Sequence, residues 1–267
     1  MKLRNVLICM LALVMVLCMA ACTGTTATTT TTAAETTTAA AEETTTAAAE
    51  GETKVMTYEE YAAAAMDTEV TVETYVQAKQ SWWENKATIY TQDENGAYFL
   101  YEAVCSEEDY AKLEEGTKIR VTGFKGEFEG EVEILQPTIE ILEGNYVAET
   151  MDATALLGTD ELINHQNKKV SFKGMTVEAS KDASGNEAAF LYAWDGSGEE
   201  GGDSDLYFNA SVDGKTYTFV IEYYLMNETT DAYKTVQSLK IGDTIDMEGF
   251  LYWYQGSQPH ITSVTVK

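Results

Sequence analysis

In 267 residues the chain carries 44 acidic against 17 basic side chains and two histidines, a formal net charge of −27. That balance repels polyanions and speaks against a basic nucleic-acid groove. Two histidines and four scattered cysteines form no cluster with zinc-ligand spacing.

Taken in chain order, Lys2 and Arg4 precede an uncharged apolar run from Val6, closed by Met19-Ala20-Ala21-Cys22. A basic start, a short apolar stretch and a small-residue cleavage site make an export signal, and the run is shorter than the ~20 residues a bilayer span needs. The cysteine after Ala20-Ala21 resembles the lipobox of bacterial lipoproteins, with Met19 where that box usually has Leu. The resemblance implies a signal peptide over 1–21, lipidation of Cys22 and membrane anchoring through that lipid. It also implies an extracytoplasmic protein at the cell surface. Thr23 to Lys54 holds 15 Thr, 9 Ala and 5 Glu, with no Val, Ile, Leu or aromatic residue. Nothing there offsets the entropy of ordering, so residues 22–54 are expected to be a lipidated, flexible stalk. Cys105 is then the one cysteine left in the folded part. It follows Ala103-Val104 and is expected as a small buried hydrophobe.

From Val55 the pattern becomes strand-like. Val70 to Val76 alternates apolar and polar positions. Ala87–Gln92 and Ala97–Val104 flank Asp93-Glu94-Asn95-Gly96, a hairpin turn. Ser106 to Gly116 reads as a short helix capped by Ser106, with acids in its first turn. Lys118–Phe124 and Glu131–Leu142 complete the set, Pro137 interrupting the last. The order then repeats. Ala87, Tyr90 and Asp93 are matched by Ala189, Tyr192 and Asp195; Leu113, Gly116 and Gly123-Phe124 by Leu239, Gly242 and Gly249-Phe250. The only two prolines, Pro137 and Pro259, are placed just before the last strand of each repeat. Each repeat also has a helical lead-in: the capping box Thr57 to Glu60, and Thr159 to Asn164.

Five strands with a helix between the third and fourth is the order of the OB-fold barrel. Gly116 to Phe124 and Gly242 to Phe250 resemble OB-fold modules of exported bacterial lipoproteins. The expected architecture is therefore all-β with short helices: two tandem five-stranded OB-fold-like barrels, over 55–146 and 147–267, following the lipoprotein signal and the linker.

No nucleophile–base pattern or phosphate loop appears, so an enzyme is not expected, nor a catalytic residue, cofactor or metal. His165 and His260 read as surface histidines. The loop Asp195 to Asp205 has five carboxylates among glycines, and calcium is a competing reading there. The binding candidates are rings. Trp82 and Trp83 follow the first strand, and being adjacent cannot both point inward; Tyr252 and Tyr254 face out if Trp253 shares the face of Ile245, Met247 and Leu251. Such rings either pack the barrels together or hold a ligand. The expected function is a non-catalytic surface module for an oligosaccharide or protein partner. Single-stranded nucleic acid is the alternative, set aside on charge: residues 55–146 carry 20 acids against 6 bases, and 147–267 carry 19 against 8.

Overall fold

The computed structural model describes residues 54–267; the expected signal, Cys22 and all but the end of the linker lie outside the described residues. Thr57 caps the first helix, α1 (Tyr58–Ala63), in a reciprocal capping box with Glu60. There the Glu60 amide donates to Thr57 Oγ1 at 3.2 Å and the Thr57 amide to Glu60 Oε2 at 3.0 Å. Five strands follow: β1 (Glu69–Lys79), β2 (Lys86–Gln92), β3 (Ala97–Val104), β4 (Thr117–Phe128) and β5 (Glu131–Asn145), with α2 (Glu107–Lys112) between β3 and β4. They close in the order β1-β2-β3-β5-β4, with β3 and β5 parallel and the other pairs antiparallel. This is the OB-fold circuit. Val72, Ile89, Leu100, Ile119, Val121 and Ile134 fill the interior, as the period-2 alternation requires. The Asp93 carboxylate accepts from the Asn95 and Gly96 amides at 2.6 and 2.8 Å, fixing the β2–β3 turn.

The second barrel repeats the circuit. After a short β6 (Met151–Asp152) and two 3-10 turns come β7 (Lys169–Glu178), β11 (Leu206–Val212), β12 (Lys215–Ile221), α3 (Asp231–Ser238), β13 (Thr244–Phe250) and β14 (His260–Val266). A pairing of β7 with β11 closes the sheet, giving β7-β11-β12-β14-β13. Between β7 and β11 lies an insertion with three two-residue strands, β8 (Ser180–Lys181), β9 (Glu187–Ala188) and β10 (Leu191–Tyr192).

That insertion corrects the internal alignment. The match of Ala189 to Asp195 with the first barrel's second strand does not hold. The second strand is instead Leu206–Val212, and the whole insertion follows strand one. The buried alternation Leu206, Phe208, Ala210 lies there, whereas Ala193 turns into the left-handed region at φ 60° and breaks any ladder. Pro137 differs as well. It sits inside β5, at a kink where Gln136 has φ 40°, rather than ahead of it; Pro259 does precede β14.

The repeated Gly-Phe pair has a packing cause. In each barrel strand four crosses strand five at a register irregularity, between Thr122 and Phe124 and between Glu248 and Gly249. A Cβ on Gly249 would meet the His260 carbonyl oxygen at 2.1 Å and Ile261 Cα at 2.7 Å. One on Gly123 would meet Ile134 Cγ2 at 2.8 Å and Pro137 Cβ at 2.9 Å. Side chains can shift more easily than a paired backbone. Gly249→Ala should therefore cost about 3 kcal/mol or more, and Gly123→Ala about 1–3 kcal/mol, read from urea unfolding. Equal and negligible effects would show that the crossings are not close-packed.

Candidate functional site

OB-folds present ligands to the face of strands two and three and to the loops after strands one and four. In the first barrel that face carries Tyr90 and Phe99, and the second barrel covers it. Tyr90 stacks on Phe250 at 4.5 Å, and Phe99 meets Tyr252 edge-on at 5.3 Å. Together with Leu225 they form a separate apolar cluster between the barrels. His260 completes it, 7% exposed, its ring stacked on Tyr252 at 4.2 Å and its Nδ1 2.6 Å from the Tyr90 hydroxyl. The expectation of a surface histidine is thereby corrected. Pro259 delivers the first residue of β14 to a position facing the neighbouring barrel, which no local pattern reveals. Burial lowers the His260 pKa to about 3, so the ring is neutral and shares one hydrogen bond with the Tyr90 hydroxyl through Nδ1.

Hydrogen bonds hold the rest of the seam. The Ser81 amide donates to the Tyr224 carbonyl at 2.8 Å, the Lys169 amide to Gln92 Oε1 at 2.8 Å, and the Gln255 amide to the Glu129 carbonyl at 2.7 Å. Gln166 is bidentate to the backbone of Gly130 and Val132, at 2.7 and 3.0 Å. These partners close off the first barrel's usual ligand face.

The four candidate rings therefore separate. Trp82 packs on the first core and donates Nε1 to the Cys105 carbonyl at 3.1 Å. Trp83 is 54% exposed. It stands on a two-residue turn in which Glu84 and Asn85 have φ of 47° and 61° and Trp83 and Lys86 exchange both backbone hydrogen bonds. Tyr252 is spent on the seam. Tyr254 is 42% exposed and tilts against Phe128 of the first barrel at 6.0 Å. The structure does not bring the four together. Sequence reading missed Tyr224 and Trp194. Tyr224 is exposed beside Ser81, in the loop that carries Trp83; Trp194 is 75% exposed at the insertion's strained turn. The Ala193-Trp194-Asp195-Gly196 stretch, with turn formers around a large ring, was the available signal.

Charged groups near Tyr224 are perturbed. Burial raises the Glu222 carboxyl to about 8, helped by Asp205, and Asp205 is raised by its own burial. Each accepts a backbone amide at 2.8 Å: Glu222 from Leu225, Asp205 from Tyr223. In the loop Asp195 to Asp205 the two end carboxylates serve the local backbone. Asp195 caps its own turn through the Ser197 amide, Asp205 turns toward Tyr223, and among the described residues no group of three or more His, Cys, Asp or Glu is gathered to hold a metal. Cys105 is buried, and burial pushes its thiol up.

No family model matches the chain, and no curated protein matches it. Among solved structures it is similar to a HIN domain in complex with 20-base-pair double-stranded DNA, at 12% identity and a TM-score of 0.32, over 76% of this chain and 96% of that one. It is similar also to a murine DNA-binding protein bound to double-stranded DNA, at 10% identity and a TM-score of 0.33, over 74% and 94%. A third is a replication protein A heterotrimer bound to single-stranded DNA, at 10% identity and a TM-score of 0.30, over 74% and 49%. At such identities no site residue transfers. The three structures are DNA-binding ones, and the expected resemblance to bacterial lipoprotein modules finds no counterpart among them. The expectations of a lipid-anchored cell-surface protein, of an oligosaccharide or protein ligand and of no nucleic-acid partner likewise find no counterpart there.

Two measurements follow from this geometry. Trp82→Ala should cost about 3 kcal/mol of stability, while Trp83→Ala should stay within about 0.5 kcal/mol; comparable losses would mean that both rings are structural. The depressed pKa of His260 makes its contribution complete above the usual 6.5 and lost as pH falls toward about 3. Across that window the loss should be on the order of 4 kcal/mol, measured as the excess acid sensitivity of the wild type over the Tyr90→Phe/His260→Phe double variant. Identical pH profiles would contradict it.

Proposed function

We propose that the two barrels, divided near residue 146, form a non-catalytic module that binds single-stranded nucleic acid by stacking bases on exposed rings. The supporting observation is Trp83, held out on a rigid turn in the loop after strand one, where OB-folds meet oligonucleotides. Tyr224 is exposed next to that loop, which its carbonyl joins through Ser81. Base–aromatic stacking contributes about 1–3 kcal/mol per base and tolerates any sequence.

The charge defines the mode. Excesses of 14 and 11 acids over bases in the two barrels deprive the module of the counterion release that drives phosphate binding. Repulsion opposes stacking, so affinity should be weak, with dissociation constants of about 10 µM or above. Salt screens that repulsion. The full chain, titrated with oligothymidylate and followed by tryptophan quenching, should bind more tightly at about 0.5 M salt than at about 0.05 M, the reverse of ordinary DNA-binding proteins. Trp83→Ala should abolish the signal and the binding measured independently by calorimetry. Absence of binding at both salts, or binding that survives Trp83→Ala, would refute the proposal; tighter binding to duplex would refute the strand preference.

A further inference from the structure

At the start of β5 the side chain of Glu131 is fully buried where the barrels meet. Its Oε2 accepts the Trp253 amide of the second barrel at 2.8 Å, while Oε1 is shielded from solvent and meets no hydrogen-bond partner. The Asn167 side chain, also from the second barrel, lies against it and donates Nδ2 to the Val132 carbonyl at 3.1 Å. Among the described residues the titratable groups coupled to Glu131 are neutral or acidic: Glu133 on its own strand acts on it, and it acts in turn on Tyr61 from α1 and Tyr90 from β2. Lys125, on neighbouring β4, is engaged elsewhere, donating to the carbonyls of Tyr61, Ala62 and Ala64 at 2.9–3.0 Å. A buried carboxylate supported by one amide and one side-chain amide is costly in its charged form.

We propose that Glu131 is a proton-dependent latch between the two barrels, closed while its carboxyl carries a proton and released when the proton leaves. Burial drives its pKa well above the usual carboxylate range, the facing Glu133 adding to the shift. In the closed state the group holds its proton to higher pH than an ordinary glutamate does; with the seam open it titrates as an ordinary glutamate. Opening then releases one proton. The closed seam has its full stability below the ordinary carboxylate pKa and loses it as pH rises toward the raised one. Over that interval the opening equilibrium increases up to tenfold per pH unit. The inference is independent of what the module binds.

Hydrogen exchange of the full chain, read amide by amide by NMR and corrected for intrinsic pH dependence, tests this directly. The Trp253 and Val132 amides bond across the seam; those of Val121 and Met247 belong to barrel ladders. In the wild type, protection of the seam amides should fall up to tenfold per pH unit above about pH 5, with the ladder amides unchanged. Glu131→Gln retains an oxygen to accept the Trp253 amide but cannot ionise, so its seam protection should be flat with pH. Glu131→Met removes ionisation with a similar volume and should also be flat, should the first variant fold poorly. Glu222→Gln should keep the wild-type slope. A flat wild-type profile, an undiminished slope in both Glu131 variants, or a slope abolished by Glu222→Gln would each overturn the latch.

Discussion

A closed OB barrel leaves the outer face of its second and third strands unpartnered. In this chain that face bears Tyr90 and Phe99, two large rings that a solitary barrel would expose to water. Their burial against Phe250, Tyr252 and His260 is the contact on which the remaining arrangement depends. It sets how the second barrel lies on the first, forces His260 into its neutral form and removes the ligand face of the first barrel from use. Aromatic area of this kind dominates association between domains, and the hydrogen-bonded His260–Tyr90 pair makes the apolar seam specific in register.

Around that seam the polar groups are matched mostly through backbone. Gln166 reads Gly130 and Val132, Gln92 receives the Lys169 amide, and Gln255 meets Glu129. Neutral amide side chains suit a junction between two acidic bodies, because they satisfy buried donors and acceptors without adding charge. Glu131 and Glu222 are the exceptions, and both have carboxyl groups shifted upward by burial. Acid accumulation on the chain thus reaches the interior at the junction itself, where protonation relieves it.

With one barrel face closed, the available rings are those on loops. Trp83 stands on a turn whose two residues, Glu84 and Asn85, take positive φ, and its ring is half exposed. Trp82, one residue earlier, has the opposite orientation and a hydrogen bond to the Cys105 carbonyl.

Much of the architecture was legible locally. Alternation in Val70 to Val76, the Asp93–Gly96 turn, the Thr57–Glu60 capping box and the twin Gly-Phe crossings each rest on neighbours within a few residues, or on a pattern repeated in the chain. The same local reasoning misplaced the second strand of the second barrel, because Ala189 to Asp195 imitates a strand while Ala193 breaks it. The cellular placement expected from the N-terminus concerns residues outside those described. What tertiary structure alone decided was which rings are free. Tyr252 and Tyr254 are equivalent by alternation, yet one is consumed by His260 and Phe99 and the other stands at the seam's edge. Composition determines that this chain is acidic, disulfide-free in its folded part and rich in strands. Burial of His260 and Glu131 required a second barrel at a particular distance, and distance between segments remote in sequence is a property of the fold, not of any window of residues.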